Sequence, residues 1–192
     1  MDAMQTPSRI PDEEYLALER AATTKHELVN GHIVAMAGAT PRHNAIVANV
    51  LASLVPQLRG KGCRPLASDQ RIHVPATGLY SYPDVTIVCG DPAFHPKDAM
   101  TITNPKVIIE VLSEGTEAFD RGAKFAHYRG IPSLQTYVLI TQHEPRVERY
   151  ERGSGAEWVF HETVGATSSV ALDAVGATMP LTDLYADLPP LT

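Results

Sequence analysis

Apolar and polar residues recur with three different periods along this chain, and each period marks a kind of element. Between residues 40 and 58, Ile46, Val47, Val50, Leu51, Leu54, Val55 and Leu58 return at three- and four-residue steps, which describes one apolar helix face. Pro56 is expected to kink or end that helix. Residues 26–35 alternate instead, in two short runs about Asn30-Gly31. That dipeptide suits a type I′ hairpin turn, which needs positive φ at both positions. The run KVIIEVLS after Asn104-Pro105 is almost continuously apolar, as a central strand covered on both faces would be.

The same patterning predicts an opening helix over 11–22, with proline and three acids in its first turn. Strands are expected over 63–74 and 82–89, with a Pro-Ala-Thr-Gly turn between them. A second helix is expected over 117–129, stopped by Gly130 and Pro132. Strands over 135–141, 146–152 and 157–162 follow, the last two joined by Gly153-Ser154-Gly155. The tail, 166–192, is rich in small residues and proline, with one short helix expected near 181–185. No repeat or linker divides the chain. The expectation is a single α/β or α+β domain over 1–192, with a mixed sheet flanked by helices.

Composition narrows the function classes. At 192 residues, 44% hydrophobic and 20% charged, the chain is long enough for a core and is not compositionally disordered. Sixteen Lys and Arg against 22 Asp and Glu give −6, which argues against coating nucleic acid by bulk electrostatics but leaves room for a local phosphate site. Cys63 and Cys89 form no metal knuckle; one disulfide is arithmetically possible, and buried free thiols are expected. No secretory signal and no apolar run of ~18 residues is visible, so a cytoplasmic protein with no membrane contact is expected.

The anomalous residue is Glu110, which interrupts the most apolar strand. An unpaired carboxylate there would cost several kcal/mol or shift its pKa upward, so it needs a cation, a metal or a set of donors. Asp84, after Pro83 at the head of another strand, is a candidate companion that would add hard oxygen ligands of the kind Mg²⁺ or Mn²⁺ prefers. On the second helix Asp120, Lys124 and Tyr128 are spaced by four and share a face. That face is either a solvated ion pair or an ammonium turned toward the carboxylates.

Taken together, these residues resemble the PD-(D/E)XK nuclease superfamily and, more closely, the Uma-two family of restriction endonucleases. The matching pieces, in order, are HELVNGHIVAM at Glu27, His43 at a helix start, YPDVTIV at Asp84, VIIEVLS at Glu110, and D-x-x-x-K-x-x-x-Y from Asp120 to Tyr128 followed by Gly130. They span about 12–150, leaving 151–192 as C-terminal strands and tail. One departure stands out: the superfamily lysine belongs two residues after Glu110, where this chain has Leu112, and the Uma-two pattern carries it on the following helix at Lys124. The resemblance implies a restriction-endonuclease-like core that hydrolyses phosphodiester bonds of nucleic acid, DNA rather than RNA. It implies Mg²⁺ (or Mn²⁺) held by Asp84 and Glu110 with Glu27, Lys124 as the catalytic cation, and an oligomer, expected to be a homodimer.

The supporting residues stay open at this level. Glu27 is either a site acid or a surface strand residue. His43 either positions phosphate or water or simply begins a helix. Gln70 lies before the Pro-Asp motif with no orientation fixed, and Asp120 and Tyr128 are expected to orient Lys124. Arg59, Lys61, Arg64, Arg121 and Arg129 are candidate phosphate contacts or ordinary solvated charges. The competing functional readings are a non-catalytic accessory module that keeps the fold, and a phosphoesterase acting on small molecules. HExxH, GxSxG, Walker A and GxGxxG motifs are all absent.

Overall fold

A computed structural model describes residues 9–191 of the chain. The first helix, α1, spans Asp12–Ala21 with its acids at the positive end of the helix dipole. Strands β1 (His26–Val29) and β2 (His32–Ala35) form the expected hairpin, and Asn30 and Gly31 take φ of 52° and 80°. Glycine is doubly required at 31, since a Cβ there would lie 2.7 Å from the Arg9 Cβ. Helix α2 runs Pro41–Leu58; Thr40 caps it by accepting from the His43 N–H, and Pro56 is accommodated in its last turn.

Beyond α2 the strand assignment is finer than the sequence pattern. The stretch 63–74 breaks at Ser68-Asp69-Gln70, where the Gln70 N–H bonds to the Ala67 carbonyl and turns the chain. It becomes β3 (Cys63–Ala67) and β4 (Arg71–Val74), which enter different sheets. The Pro-Ala-Thr-Gly turn joins β4 to β5 (Leu79–Ser81), ahead of β6 (Val85–Cys89). Then come β7 (Phe94–His95), β8 (Asp98–Ile102) and the central β9 (Val107–Val111). The second helix is built from α3 (Glu117–Phe119), a π-helical turn (Asp120–Lys124) and α4 (Phe125–Tyr128). Strands β10 (Thr136–Ile140), β11 (Arg146–Arg152) and β12 (Trp158–Val164) follow. The tail holds β13 (Ser169–Leu172), a 3₁₀ turn (Asp173–Val175), β14 (Ala177–Pro180) and α5 (Leu181–Leu184). No described helix is long and apolar enough to cross a membrane.

The architecture is mixed α+β. One six-stranded sheet has the order β2-β1-β5-β4-β8-β7, the other β12-β11-β10-β9-β6-β3, and β13-β14 form a separate hairpin. Strand β9 pairs in parallel with β10 and antiparallel with β6, so it is hydrogen-bonded on both sides. Its side chains alternate between two cores. Val107, Ile109 and Val111 pack with Ile46, Val50 and Leu54 of α2 and with the apolar residues of the tail. Ile108 and Leu112 pack instead with Phe125 and Tyr128 and with Ile72 and Val74 of the first sheet. The period-two pleat therefore puts Glu110 on this second face, beneath the helix that carries Lys124. A third cluster, Tyr15, Leu16, Leu28 and Tyr80, seats α1 on the first sheet.

The expectation of free thiols is corrected: Cys63 and Cys89 are joined by a disulfide. The β3–β6 register sets the two residues directly opposite each other, which is a tertiary fact that two cysteines 26 positions apart do not reveal.

Candidate active site

The site is assembled where β6, β9, the π-helical turn and the β1 hairpin meet. Extending the β6–β9 register by one residue from the Val85–Ile109 pair places Asp84 opposite Glu110. The two acids exchange backbone contacts. Asp84 Oδ2 accepts the Val111 N–H at 2.8 Å, and Glu110 Oε2 accepts the Asp84 N–H at 3.3 Å. Each carboxylate is thereby anchored to main chain through one oxygen.

Lys124 reaches this pair from the helix. Its Nζ is 2.9 Å from Glu110 Oε1, 3.4 Å from Asp120 Oδ1 and 3.6 Å from Glu27 Oε1, and its side chain is 9% exposed. The position a strand-borne lysine would occupy is filled by Leu112, which is buried in the core. The π-helical turn, Asp120 to Lys124, widens the helix at the very segment that faces the acids, the kind of irregularity that recurs at functional sites. Tyr128, one turn on, donates to Glu110 Oε1 at 3.0 Å and lies 2.6 Å from Ser81 Oγ.

The remaining expected residues divide. His43, in the first turn of α2, places Nε2 3.1 Å from Asp84 Oδ2, so the helix-start position and the site position are the same. Glu27 projects from β1 and accepts the Tyr82 N–H at 3.2 Å; it sits on the Lys124 side of the cluster. Asp120 accepts from Thr116 Oγ1 at 2.7 Å. Gln70 is elsewhere: its amide donates to the Arg71 and Met100 carbonyls, bridging β4 and β8. Of the candidate phosphate contacts, Arg121 is held by Glu148 and Glu117, Lys61 by the Gly176 carbonyl, and Arg129 stacks over Phe125. Ser81, Thr116 and Tyr137, whose hydroxyl donates to the Asp120 carbonyl at 3.0 Å, also belong to the network. A buried hydroxyl beside the Tyr-Pro-Asp motif is the one sequence signal that points to Ser81; the others follow only from the tertiary packing.

Electrostatics sharpen the geometry. Burial pushes the Glu110 carboxyl up to about 8, although the Lys124 charge pulls it down; the Asp120 and Asp84 charges add to the rise. Burial works against the Lys124 ammonium, but the surrounding acids, Glu110 foremost with Glu27 and Asp120, outweigh it and hold Lys124 well above its ordinary value. Burial, then the Glu110 charge, raises the Tyr128 phenol, which keeps it a donor. At His43 burial opposes the cation, while the Asp84 hydrogen bond and charge prevail and raise its pKa. Three acids thus surround one lysine, and a fourth, Asp84, adjoins Glu110. Asp120 Oδ1 is buried with no hydrogen bond among the described residues and faces the Lys124 ammonium at 3.4 Å; the carboxyl groups outnumber the lysine, an imbalance that a divalent cation would offset. The hard-oxygen donors and this imbalance fit Mg²⁺ or Mn²⁺. The cluster opens into a cleft of about 970 Å³ lined by Glu27, His43, Asp84, Glu110, Asp120 and Lys124, among others.

Comparison with known proteins bears on the family and the fold. A family model, Uma2, described as "Putative restriction endonuclease", matches residues 12–182. Two uncharacterized proteins of Synechocystis are similar: sll1609, 35% identical over 88% of this chain and 96% of its own length, and slr1290, 32% identical over 94% and 93%. A crystal structure of a "putative nuclease belonging to DUF820" from Anabaena variabilis superposes with a TM-score of 0.74 at 16% identity, covering 91% of this chain and 96% of that one, which shows a shared fold.

Proposed function

The chain belongs to the Uma2 family, and from that premise we propose that it is a metal-dependent nuclease hydrolysing phosphodiester bonds, DNA in preference to RNA, at the cleft holding Asp84, Glu110 and Lys124. The observation that carries this reading is the buried acidic cluster around a single lysine, with Glu110 and Lys124 2.9 Å apart at the floor of an open cleft. A structural ion pair inside a sheet needs one acid for one base, whereas here Asp84, Glu110, Glu27 and Asp120 converge from four separate elements. The family description supplies the preference for DNA.

Asp84 and Glu110 would hold the cation through hard oxygens; Asp84 Oδ2 already accepts from Val111 and His43, which leaves Oδ1 for that role. When bound, a divalent ion lowers the pKa of a water, polarises the scissile phosphate and offsets charge in the pentavalent transition state. The protein's own groups do the rest. Lys124 places a permanent cation beside Glu110, where it orients the attacking water and opposes negative charge developing on the phosphate. Tyr128 and the backbone N–H of Asp84 hold the Glu110 carboxylate at fixed angles, so little reorganisation accompanies reaction. His43 fixes the Asp84 carboxylate from the α2 side. Glu27 flanks Lys124 and supports its charge. Lys25 and Lys124 are the only Lys or Arg lining the cleft among the described residues, so sequence-independent phosphate grip is weak.

The test is cleavage of supercoiled plasmid, single-stranded DNA and RNA, with Mg²⁺ or Mn²⁺ and with EDTA. Asp84→Asn and Glu110→Gln are each expected to abolish cutting, and EDTA to do the same. Cutting that survives both substitutions overturns the site. Metal binding with no cutting of any substrate favours a non-catalytic accessory protein.

A further inference from the structure

On the opposite side of the first sheet, three side chains from separate elements converge. Asp12 opens α1, His73 lies on β4 and His95 on β7, and a ligand atom from each lies within 4.8 Å of the other two. None of the three lines the cleft at Asp84 and Glu110. His73 Nε2 is 4.0 Å from Asp12 Oδ2, and the Tyr80 hydroxyl is 3.2 Å from both Asp12 Oδ2 and His95 Nε2. The His73 ring stacks on Tyr80 with centroids 4.2 Å apart and meets the His95 ring edge-on at 4.9 Å.

The second observation concerns His73 itself. It is 5% exposed, and neither ring nitrogen has a hydrogen-bond partner among the described residues. A buried imidazole normally finds a partner for at least one nitrogen, so a lone pair aimed at a carboxylate and a second imidazole points to a missing ligand. Two imidazoles and one carboxylate are the donors of a borderline transition metal rather than of Mg²⁺. Tetrahedral Zn²⁺ with bonds of about 2.0–2.2 Å places its ligand atoms about 3.4 Å apart. Reaching that from the present spacing needs a contraction on the order of 1 Å, within side-chain rotation.

We propose that Asp12, His73 and His95 form a second metal site, of Zn²⁺ type, that clamps the start of α1 to the far edge of the first sheet. Its chemistry differs from that of the acidic cluster, and so does its place in the fold. Binding through His95 Nε2 moves the ring proton to Nδ1 and gives up the long 3.3 Å contact from the Lys97 N–H. The clamp acts with existing contacts along the same seam, where Lys97 pairs with Glu13 and Arg20 with Asp98. Three protein ligands leave a fourth position for water, with the Tyr80 hydroxyl beside it.

The experiment is titration of the untagged, EDTA-stripped full chain carrying Asp84→Asn and Glu110→Gln, with Zn²⁺ by calorimetry and Co²⁺ by visible absorption. One ion per chain is expected, with the intense absorption of tetrahedral Co²⁺. Adding His95→Ala or Asp12→Asn, both at partly exposed positions that do not threaten folding, is expected to weaken binding by ~100-fold or more. Amide exchange in α1 should slow on adding Zn²⁺ and not in either variant. Absence of Zn²⁺ binding, or binding unchanged by both substitutions, overturns the proposal.

Discussion

Replacing Lys124 by Met keeps the stem of the side chain and deletes its charge. Lys124 is 7% exposed and touches three carboxylates, so the exposed-pair figure of ~0–1 kcal/mol does not apply. Removing one partner of a buried pair costs about 3–5 kcal/mol, because the other is left uncompensated. The pH dependence follows from Glu110. Its folded-state value, about 8, lies above the ordinary 4.5, so the native protein keeps a proton that the unfolded chain releases. Stability attributable to this group is therefore present at low pH and falls as pH rises from about 4.5 to about 8. Deleting the lysine charge removes a force that lowers the Glu110 pKa, so in Lys124→Met the falling limb extends to higher pH. The gap between the two proteins should widen above pH 8 by about 1.4 kcal/mol per unit. Urea unfolding in EDTA at pH 6 and pH 9 measures it. A penalty under about 1 kcal/mol at both pH values would refute the buried-pair argument.

Tyr128→Phe removes the hydroxyl shared by Glu110 and Ser81 and should cost about 1–3 kcal/mol in urea unfolding, with cleavage reduced alongside. His43→Gln should lose stability chiefly below pH 6.5, because the raised folded-state pKa of His43 contributes there and fades as pH climbs through it; thermal melts at pH 5.5 and 8.5 check this. Gly31→Ala should lower stability by more than about 1 kcal/mol, since it meets both φ +80° and the Arg9 side chain. Reducing the Cys63–Cys89 bond, or replacing both cysteines by Ser, should cost about 2–4 kcal/mol by releasing a 26-residue loop, seen as a lower melting temperature in dithiothreitol.

Local patterns made some of this structure legible in the sequence. The Asn30-Gly31 hairpin, the α2 stripe and the buried strand around Glu110 each have a period or dipeptide that admits one conformation. Glu110 stands out because a carboxylate in an apolar strand needs a reason, and Asp84, at a strand head after proline, gains meaning only as its companion. Other features carry no such local mark. Strands β7 and β8 are short and polar-edged, and they acquire their conformation by pairing with each other and with β4. The β13–β14 hairpin hides in a small-residue tail whose Val170, Leu172 and Met179 matter only once α2 is there to receive them. The π-helical turn leaves the 3.6-residue pattern looking ordinary, and the disulfide depends on a strand register. Gln70 shows the limit from the other side: the sequence leaves its orientation open, and its amide turns to the Arg71 and Met100 carbonyls.

Placing the cation on a helix rather than on the strand has a consequence for how the proposed site is held together. Asp84 and Glu110 sit on neighbouring strands of the second sheet, at the head of β6 and within β9, whereas Lys124 arrives on a short helix interrupted by a π-helical turn. A fluctuation that lifts residues 117–128 leaves the sheet intact yet strips the carboxylates of their sole lysine, and also of Asp120 and Tyr128. In the proposed mechanism, cutting therefore depends on this segment staying docked on the sheet, which Phe125 and Tyr128 secure by packing into the second core.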